Sequence, residues 1–171
     1  MDIRMLDRSY AGLRLDFEYV TDRYYDVKAS ENGFSLELKR FGEPQKKSFS
    51  DELFADWLEA PVSFGAFENE ELLGVAEGSI EQWHNVFRVS NILVFAPNRR
   101  RGVGQALMDA LLAHARASGA RGAVLETQSC NYPAICFYRK NGFSLSRIDL
   151  HEYTNDDIER HEVRFDLFLP F

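Results

Sequence analysis

A mixed α/β (α+β) fold, one layer of sheet with helices on both faces, is what the sequence predicts. Three observations carry it. The first half of the 171 residues is rich in apolar–polar alternation, the period of a half-buried strand. The second half holds two stretches with helical spacing, each followed by a stop signal. Between those two lies one short apolar run. Strands first, then strand-helix-strand-helix-strand-strand, is an order that packs helices onto a sheet.

Each element has its own reason. "GLRLDFEY" (Gly12 to Tyr19) and "GFSLELKRF" (Gly33 to Phe41) alternate as strands do. "SDELFADWLEA" (Ser50 to Ala60) reads as a helix. Ser50 or Asp51 caps it, acidic residues follow, and Leu53, Trp57 and Leu58 form a stripe that Pro61 stops. From Val62 to Trp83 the pattern is a strand, a turn at Glu68 to Glu71, and a second strand; Asn85 to Ala96 is another β-rich run. A helix is predicted from about Gly102 to Ser118. Val103, Leu107, Ala110 and Leu111 mark its apolar side, Met108 and Leu112 flank it, and Gly119 ends it. Gly122 to Gln128 reads as a short buried strand. Asn131 caps the next helix, Pro133 fits its first turn, and Asn141-Gly142 close it. Ser144 to Tyr153 and His161 to Phe171 read as two closing strands.

The length suits a single domain, 1–171. A hydrophobic share of 45% argues against disorder, and 14 Phe with 7 Tyr argue for a ring-rich core and pocket. A formal net charge of -7 counts against a nucleic-acid partner but suits a cationic substrate. Cys130 and Cys136 lack any metal spacing and read as free thiols in a reducing compartment. His84, His114, His151 and His161 are scattered, so no metal is expected. "MDIRMLDRSY" does not read as a signal peptide. No apolar run approaches the about 20 residues of a membrane span. A soluble cytoplasmic protein with no membrane partner is the expectation.

The densest positive charge of this acidic chain lies in "PNRRRGVG", directly before a helix. A helix N-terminus offers unpaired N–H groups and the positive end of the dipole. Gly102 and Gly104 let an anion approach the backbone, and Arg99, Arg100 and Arg101 add charge-assisted hydrogen bonds. The segment therefore reads as a seat for pyrophosphate, against the blander reading of a solvated basic run. It is not a P-loop, and Leu107 stands where a dinucleotide fingerprint has its third glycine.

Arg-x-x-Gly-x-Gly, here Arg99 to Gly104, resembles the acetyl-CoA motif of the GNAT superfamily of N-acetyltransferases. Asn131, Ala134, Phe137 and Tyr138, followed by Gly142-Phe143, resemble its second signature. "WHNV" (Trp83 to Val86), "LETQ" (Leu125 to Gln128), "DLHEY" (Asp149 to Tyr153) and the ending "EVRFDLFLPF" look like the streptothricin acetyltransferase branch. The likeness is clear from Trp83 to Phe171.

The resemblance implies a mostly antiparallel twisted sheet, splayed at a coenzyme cleft. It implies acetyl-CoA as co-substrate and direct transfer of the acetyl group to a primary amine. The backbone of Ile92, Leu93 and Val94 would pair with the pantetheine arm, while their side chains serve the core. Arg99, Arg100, Arg101, Gly102, Val103 and Gly104 would hold the pyrophosphate. Asn131 would bind a pantetheine amide, cap its helix, or do both. Tyr138 would protonate the leaving thiolate, unless its ring merely packs. Glu126, ending the buried strand, is the first candidate for the base that deprotonates the amine; Glu162 and Asp149 are others. Asp149, Tyr153 and Glu162, with Glu152, Asp156 and Asp157, either form an acidic, ring-walled lip for a cationic acceptor or stand as surface charges.

Two departures bear on that acceptor. Ser90-Asn91 replaces a Glu-Asp pair usual in the branch, and Arg164 and Asp166 replace small and aromatic residues. The expected function is acetylation of streptothricin or a similar amine, an antibiotic-resistance activity, by a monomer or homodimer. The alternatives are an acetyltransferase for a polyamine or protein amine, and a GNAT-fold module that senses acyl-CoA without turnover.

Overall fold

A computed structural model of the chain describes all 171 residues, Met1–Phe171. The strands are β1 (Asp2–Leu6), β2 (Arg14–Ser30), β3 (Gly33–Glu52), β4 (Val62–Glu68), β5 (Glu71–Glu81), β6 (Val86–Val94), β7 (Gly122–Gln128), β8 (Ser144–Asp149) and β9 (Arg164–Pro170). The helices are α1 (Val103–Ala117) and α2 (Tyr132–Lys140). Seven strands belong to a large, mostly antiparallel sheet flanked by helices, and β2 and β3 form a two-stranded ribbon. No helix is long and apolar enough to cross a membrane.

The chain divides into two units. The first comprises Met1–Phe17, Ser50–Val124 and Pro170–Phe171; the second comprises Glu18–Phe49 and Leu125–Leu169. In the first, β1, β4, β5 and β6 run side by side, all antiparallel. The β4–β5 hairpin turns on Asn69 (φ 48°) and Glu70 (φ 65°), both left-handed, the backbone a tight two-residue turn needs. Helix α1 buries Val103, Leu107, Met108, Leu111, Leu112 and Ala115 against β4, β5 and β6. Its bounds agree with the predicted helix to within a residue: left-handed Gly102 stands before it, and Gly119 (φ 76°) after its cap. In the second unit, β7, β9 and β8 lie in that order, with β8 and β9 antiparallel.

Ser50 to Ala60 is not a helix. Strand β3 runs on to Glu52, and turns follow. Of the predicted stripe Leu53 and Leu58 are buried but Trp57 is 67% exposed, and Phe54, outside the stripe, is buried instead. Phe54 takes a left-handed φ of 57°, which a helix does not tolerate. The N–H groups of Leu53 and Phe54 are claimed from afar, by the Leu13 carbonyl at 3.0 Å and the Glu77 carboxylate at 2.8 Å. These tertiary partners and the cluster of Leu6, Leu15, Phe67, Val75 and Leu93 outweigh local helix propensity.

The predicted strand to Tyr153 also stops early. Asp149 accepts a hydrogen bond from the His151 N–H at 3.0 Å, a local turn that competes with strand pairing. Strand β9 starts at Arg164 rather than His161, whose φ of 59° breaks the extended run.

Candidate active site

In the first unit, β6 carries a bulge. Glu77 pairs with Asn91 and Gly78 with Val89, which leaves Ser90 as the extra residue. A Cβ on Gly78 would lie 2.4 Å from the Phe87 ring and 2.5 Å from the Arg88 carbonyl oxygen, so only glycine fits beside the bulge. Glu77 is fully buried. It accepts from the Phe54 N–H (2.8 Å), the Ser63 hydroxyl (2.7 Å) and the Asn91 side-chain amide (3.3 Å).

Beyond the bulge come Ile92, Leu93 and Val94, of which Leu93 is buried and the others half-buried. The chain then reverses into α1 through two left-handed residues, Arg100 (φ 63°) and Gly102 (φ 85°). Arg99 donates to the Val94 carbonyl at 3.2 Å. Arg101 donates to Asn98 at 3.1 Å and pairs with Glu68 at 2.6 Å. That hydrogen bond holds the Glu68 carboxyl below the usual carboxylate range. Arg99 and Arg100 are exposed. The first turn of α1, which opens on Val103 and Gly104, carries no acidic residue, so nothing local cancels the positive end of its dipole. This half fits an anionic, phosphate-bearing ligand.

In the second unit, the Asn131 side chain accepts from the Ala134 N–H at 3.3 Å and caps α2, with Pro133 in the first turn. Replacing Asn131 with Ala is expected to cost about 1 kcal/mol of stability, read from a urea melt. Tyr138 sits half-buried near the end of that helix, its ring 5.7 Å from Phe137 and 6.3 Å from Phe143. Burial pushes its phenol up to about 12, so it stays protonated beyond the pH at which an ordinary tyrosine ionises.

Glu126, near the end of β7, has one oxygen on the Tyr153 hydroxyl (2.5 Å) and the other 3.2 Å from Arg164. Burial and that bond to Glu126 raise the Tyr153 phenol above its usual range, keeping it a donor. Arg164 also pairs with Asp166 at 2.8 Å and with Glu152. Burial disfavours its charge, but Asp166, Glu126 and Glu152 more than offset this and keep it firmly cationic. Glu162 is buried between Lys47 (2.6 Å) and Arg160 (3.0 Å). Asp149 is exposed and bound to the His151 N–H. Asp157, fully buried, holds the backbone N–H groups of Tyr153 and Thr154, each at 2.9 Å. Asp156 is exposed and accepts from the Thr154 hydroxyl at 2.6 Å. Cys130 is buried and Cys136 exposed, both free.

Of the residues named from the sequence, the structure joins Glu126 to Tyr153 and Arg99 to Val94, and sets Asn131 and Tyr138 on one helix. Glu162 shares no side-chain partner with Glu126, whereas Asp149 stands opposite Arg164, the ion-pair partner of Glu126, in the β8–β9 ladder. Sequence reasoning did not find Glu68 and Asn98 as holders of Arg101, Lys47 as the partner of Glu162, or Glu77. Lys47 and Glu162 are 115 residues apart, and no local pattern links them.

The model of the acetyltransferase (GNAT) family matches residues 31–143. Streptothricin acetyltransferase of Escherichia coli is 32% identical over 135 residues, which cover 79% of this chain and 75% of that protein. A crystal structure of nourseothricin acetyltransferase is 29% identical, with a TM-score of 0.80 over 99% of this chain and 97% of that one. A Bacillus anthracis protein crystallised with acetyl coenzyme A shares the fold at 20% identity, with a TM-score of 0.74 over 99% of this chain and 96% of that one. The family model spans the strand, the arginine–glycine turn and the helix behind it, and the chain belongs to the GNAT acetyltransferase family, as an acetyl-CoA-dependent N-acetyltransferase.

Proposed function

We propose that this enzyme acetylates a primary amine of streptothricin or of a similar cationic small molecule, an antibiotic-resistance reaction. Residues 1–171 serve as one N-acetyltransferase domain, cytoplasmic, acting on a small molecule rather than on nucleic acid or membrane. The observation that carries the reading is the left-handed arginine–glycine turn, with Arg99 and Arg100 exposed, that opens helix α1. The relatives named for streptothricin and nourseothricin support the choice of acceptor.

Acetyl-CoA supplies the thioester that the amine attacks. The backbone of Ile92, Leu93 and Val94 holds the pantetheine arm as an added strand would. The N–H groups at Gly102, Val103 and Gly104 receive the pyrophosphate, with the charges of Arg99 and Arg100 beside them. Arg101 adds its charge from the Glu68–Asn98 clamp. The Asn131 side chain, already a cap, takes a pantetheine amide.

An amine near its ordinary pKa of about 10.4 arrives protonated and needs a base. Glu126 takes that proton, with Tyr153 fixing one of its oxygens. Tyr138 gives its proton to the departing thiolate and is restored from solvent. Asp149, which is exposed, attracts the cationic acceptor and the Tyr153 ring lines its approach, while the Glu162 charge is taken up by Lys47 and Arg160.

The test is thiol release from acetyl-CoA, followed with a chromogenic disulfide, with streptothricin, lysine, a polyamine and a lysine peptide as acceptors. Rapid release with streptothricin is expected. Release with another amine alone would move the acceptor, and silence with every amine despite CoA binding would overturn the catalytic roles.

A further inference from the structure

We propose that the outer edge of β3 is an interface for a second copy of this chain: two copies pair β3 with β3, antiparallel, about a two-fold axis at Leu38.

The β2–β3 ribbon has two edges, and they differ. On the β2 side the Tyr25 N–H donates to the Ser129 carbonyl at 3.0 Å, so the chain itself uses that edge. From Phe34 to Gly42, no backbone group of β3 bonds to any strand but β2, or to a loop. Every residue from Gly33 to Leu38 is exposed, among them Phe34 (53%), Leu36 (36%) and Leu38 (42%). Alternate positions put these three on one face of the strand. An open edge beside an exposed apolar stripe is a template for pairing with another strand. Farther along β3 that template ends, because Pro44 has no N–H to donate.

The charges select a second copy and its register. With the axis at Leu38, Glu37 stands opposite the partner's Lys39, and Lys39 opposite the partner's Glu37. Opposite charges directly across a strand pair stabilise it, and like charges destabilise it. Asp26 holds Lys39 in place at 2.5 Å, while Glu37 is 64% exposed and 3.6 Å from its own Lys39, with room for a second cation. On the other face Leu38 meets the partner's Leu38, and the Arg40 stem covers the partner's Leu36. An axis at Glu37, Lys39 or Arg40 would set like charges face to face. An axis at Leu36 would leave Glu37 and Lys39 opposite Ser35 and Gly33, with no charge pair formed. Such a two-fold contact is closed, so assembly stops at the dimer.

Sedimentation velocity on the full chain, from about 1 to 100 µM, reads the assembly. The contact is short, so a weak dimer is expected, its mass rising toward twice that of the 19.7 kDa chain within this range. Glu37→Lys is expected to weaken it about tenfold, since two attractive pairs become repulsive at once. The same variant reduces the net charge of -7, which by itself would favour association, so a weaker dimer reports the local contact. Glu59→Lys, an equal charge change at an exposed position of the first unit, leaves the dimer as it was. Cross-linking reads the register without any change of charge. In a Cys136→Ser background, Leu38→Cys is expected to give a disulfide-linked dimer on oxidation with diamide, because residues directly opposite lie within disulfide reach. Phe34→Cys in that background gives none, since its two copies lie far apart along the paired strands.

A chain that stays monomeric over the whole range overturns the inference. So does a dimer that Glu37→Lys leaves at wild-type strength, or one that Leu38→Cys fails to cross-link, since either places the contact on another surface.

Discussion

Replacing Tyr138 with Phe is expected to lower kcat about a hundredfold or more, the scale of a lost general acid, while acetyl-CoA binding stays nearly unchanged. The ring keeps its neighbours Phe137 and Phe143, so the substitution removes one oxygen and little else. Burial sets the phenol at about 12, above the ordinary tyrosine value of about 10. The sign of the shift matters. A phenol at its ordinary value would ionise at about pH 10 and take kcat down with it. At about 12 the acid stays loaded, so kcat of the wild type should hold its plateau past pH 10. Steady-state rates from pH 7 to 11 check both points. Wild-type kcat in the Phe variant would remove Tyr138 from the chemistry, and an alkaline fall near 10 would mean that its phenol is more hydrated than its burial implies.

Where the sequence was legible, the determinants were local. Helix α1 could be placed because its stop signals and its stripe of Val103, Leu107 and Leu111 lie within one short stretch. The β4–β5 hairpin and the Asn131 cap were legible for the same reason. The entry to α1 was legible too, since a glycine directly before the apolar stripe is where the left-handed backbone of Gly102 falls. The segment from Ser50 to Ala60 defeated the same reasoning. Leu53 and Leu58 of its stripe are buried and Trp57 is not, because the backbone there answers to Leu13, 40 residues from Leu53, and to Glu77, 23 residues from Phe54. The carboxylates show the same limit. Glu126 and Glu162 read alike in sequence, yet one faces Tyr153 and Arg164 and the other is buried between Lys47 and Arg160. Nothing within a few residues of either distinguishes them.

Glu77 is where the unforeseen part of the first unit concentrates, and Glu77→Leu should be the most destabilising single change in it. The carboxylate is fully buried, and the groups that bond it directly are neutral donors: the Phe54 N–H, the Ser63 hydroxyl and the Asn91 amide. Leucine fills similar space but accepts nothing. Three buried donors would be left unpaired, each costing about 1–3 kcal/mol, so a loss of about 3 kcal/mol or more is expected. A lower urea midpoint with an unchanged slope would register it. The damage should also be directed. Phe54 holds its left-handed turn partly through this bond, and Asn91 sits beside the bulge on the strand that leads to Ile92, Leu93 and Val94. Faster amide exchange at Phe54 and a higher KM for acetyl-CoA should therefore accompany the lost stability. Glu77→Gln keeps an acceptor for Phe54 and Ser63, and the Asn91 amide can turn its oxygen toward the new donor, so this variant should recover most of the loss. Equal losses in the Leu and Gln variants would mean that the negative charge itself, rather than its hydrogen bonds, holds this part of the fold.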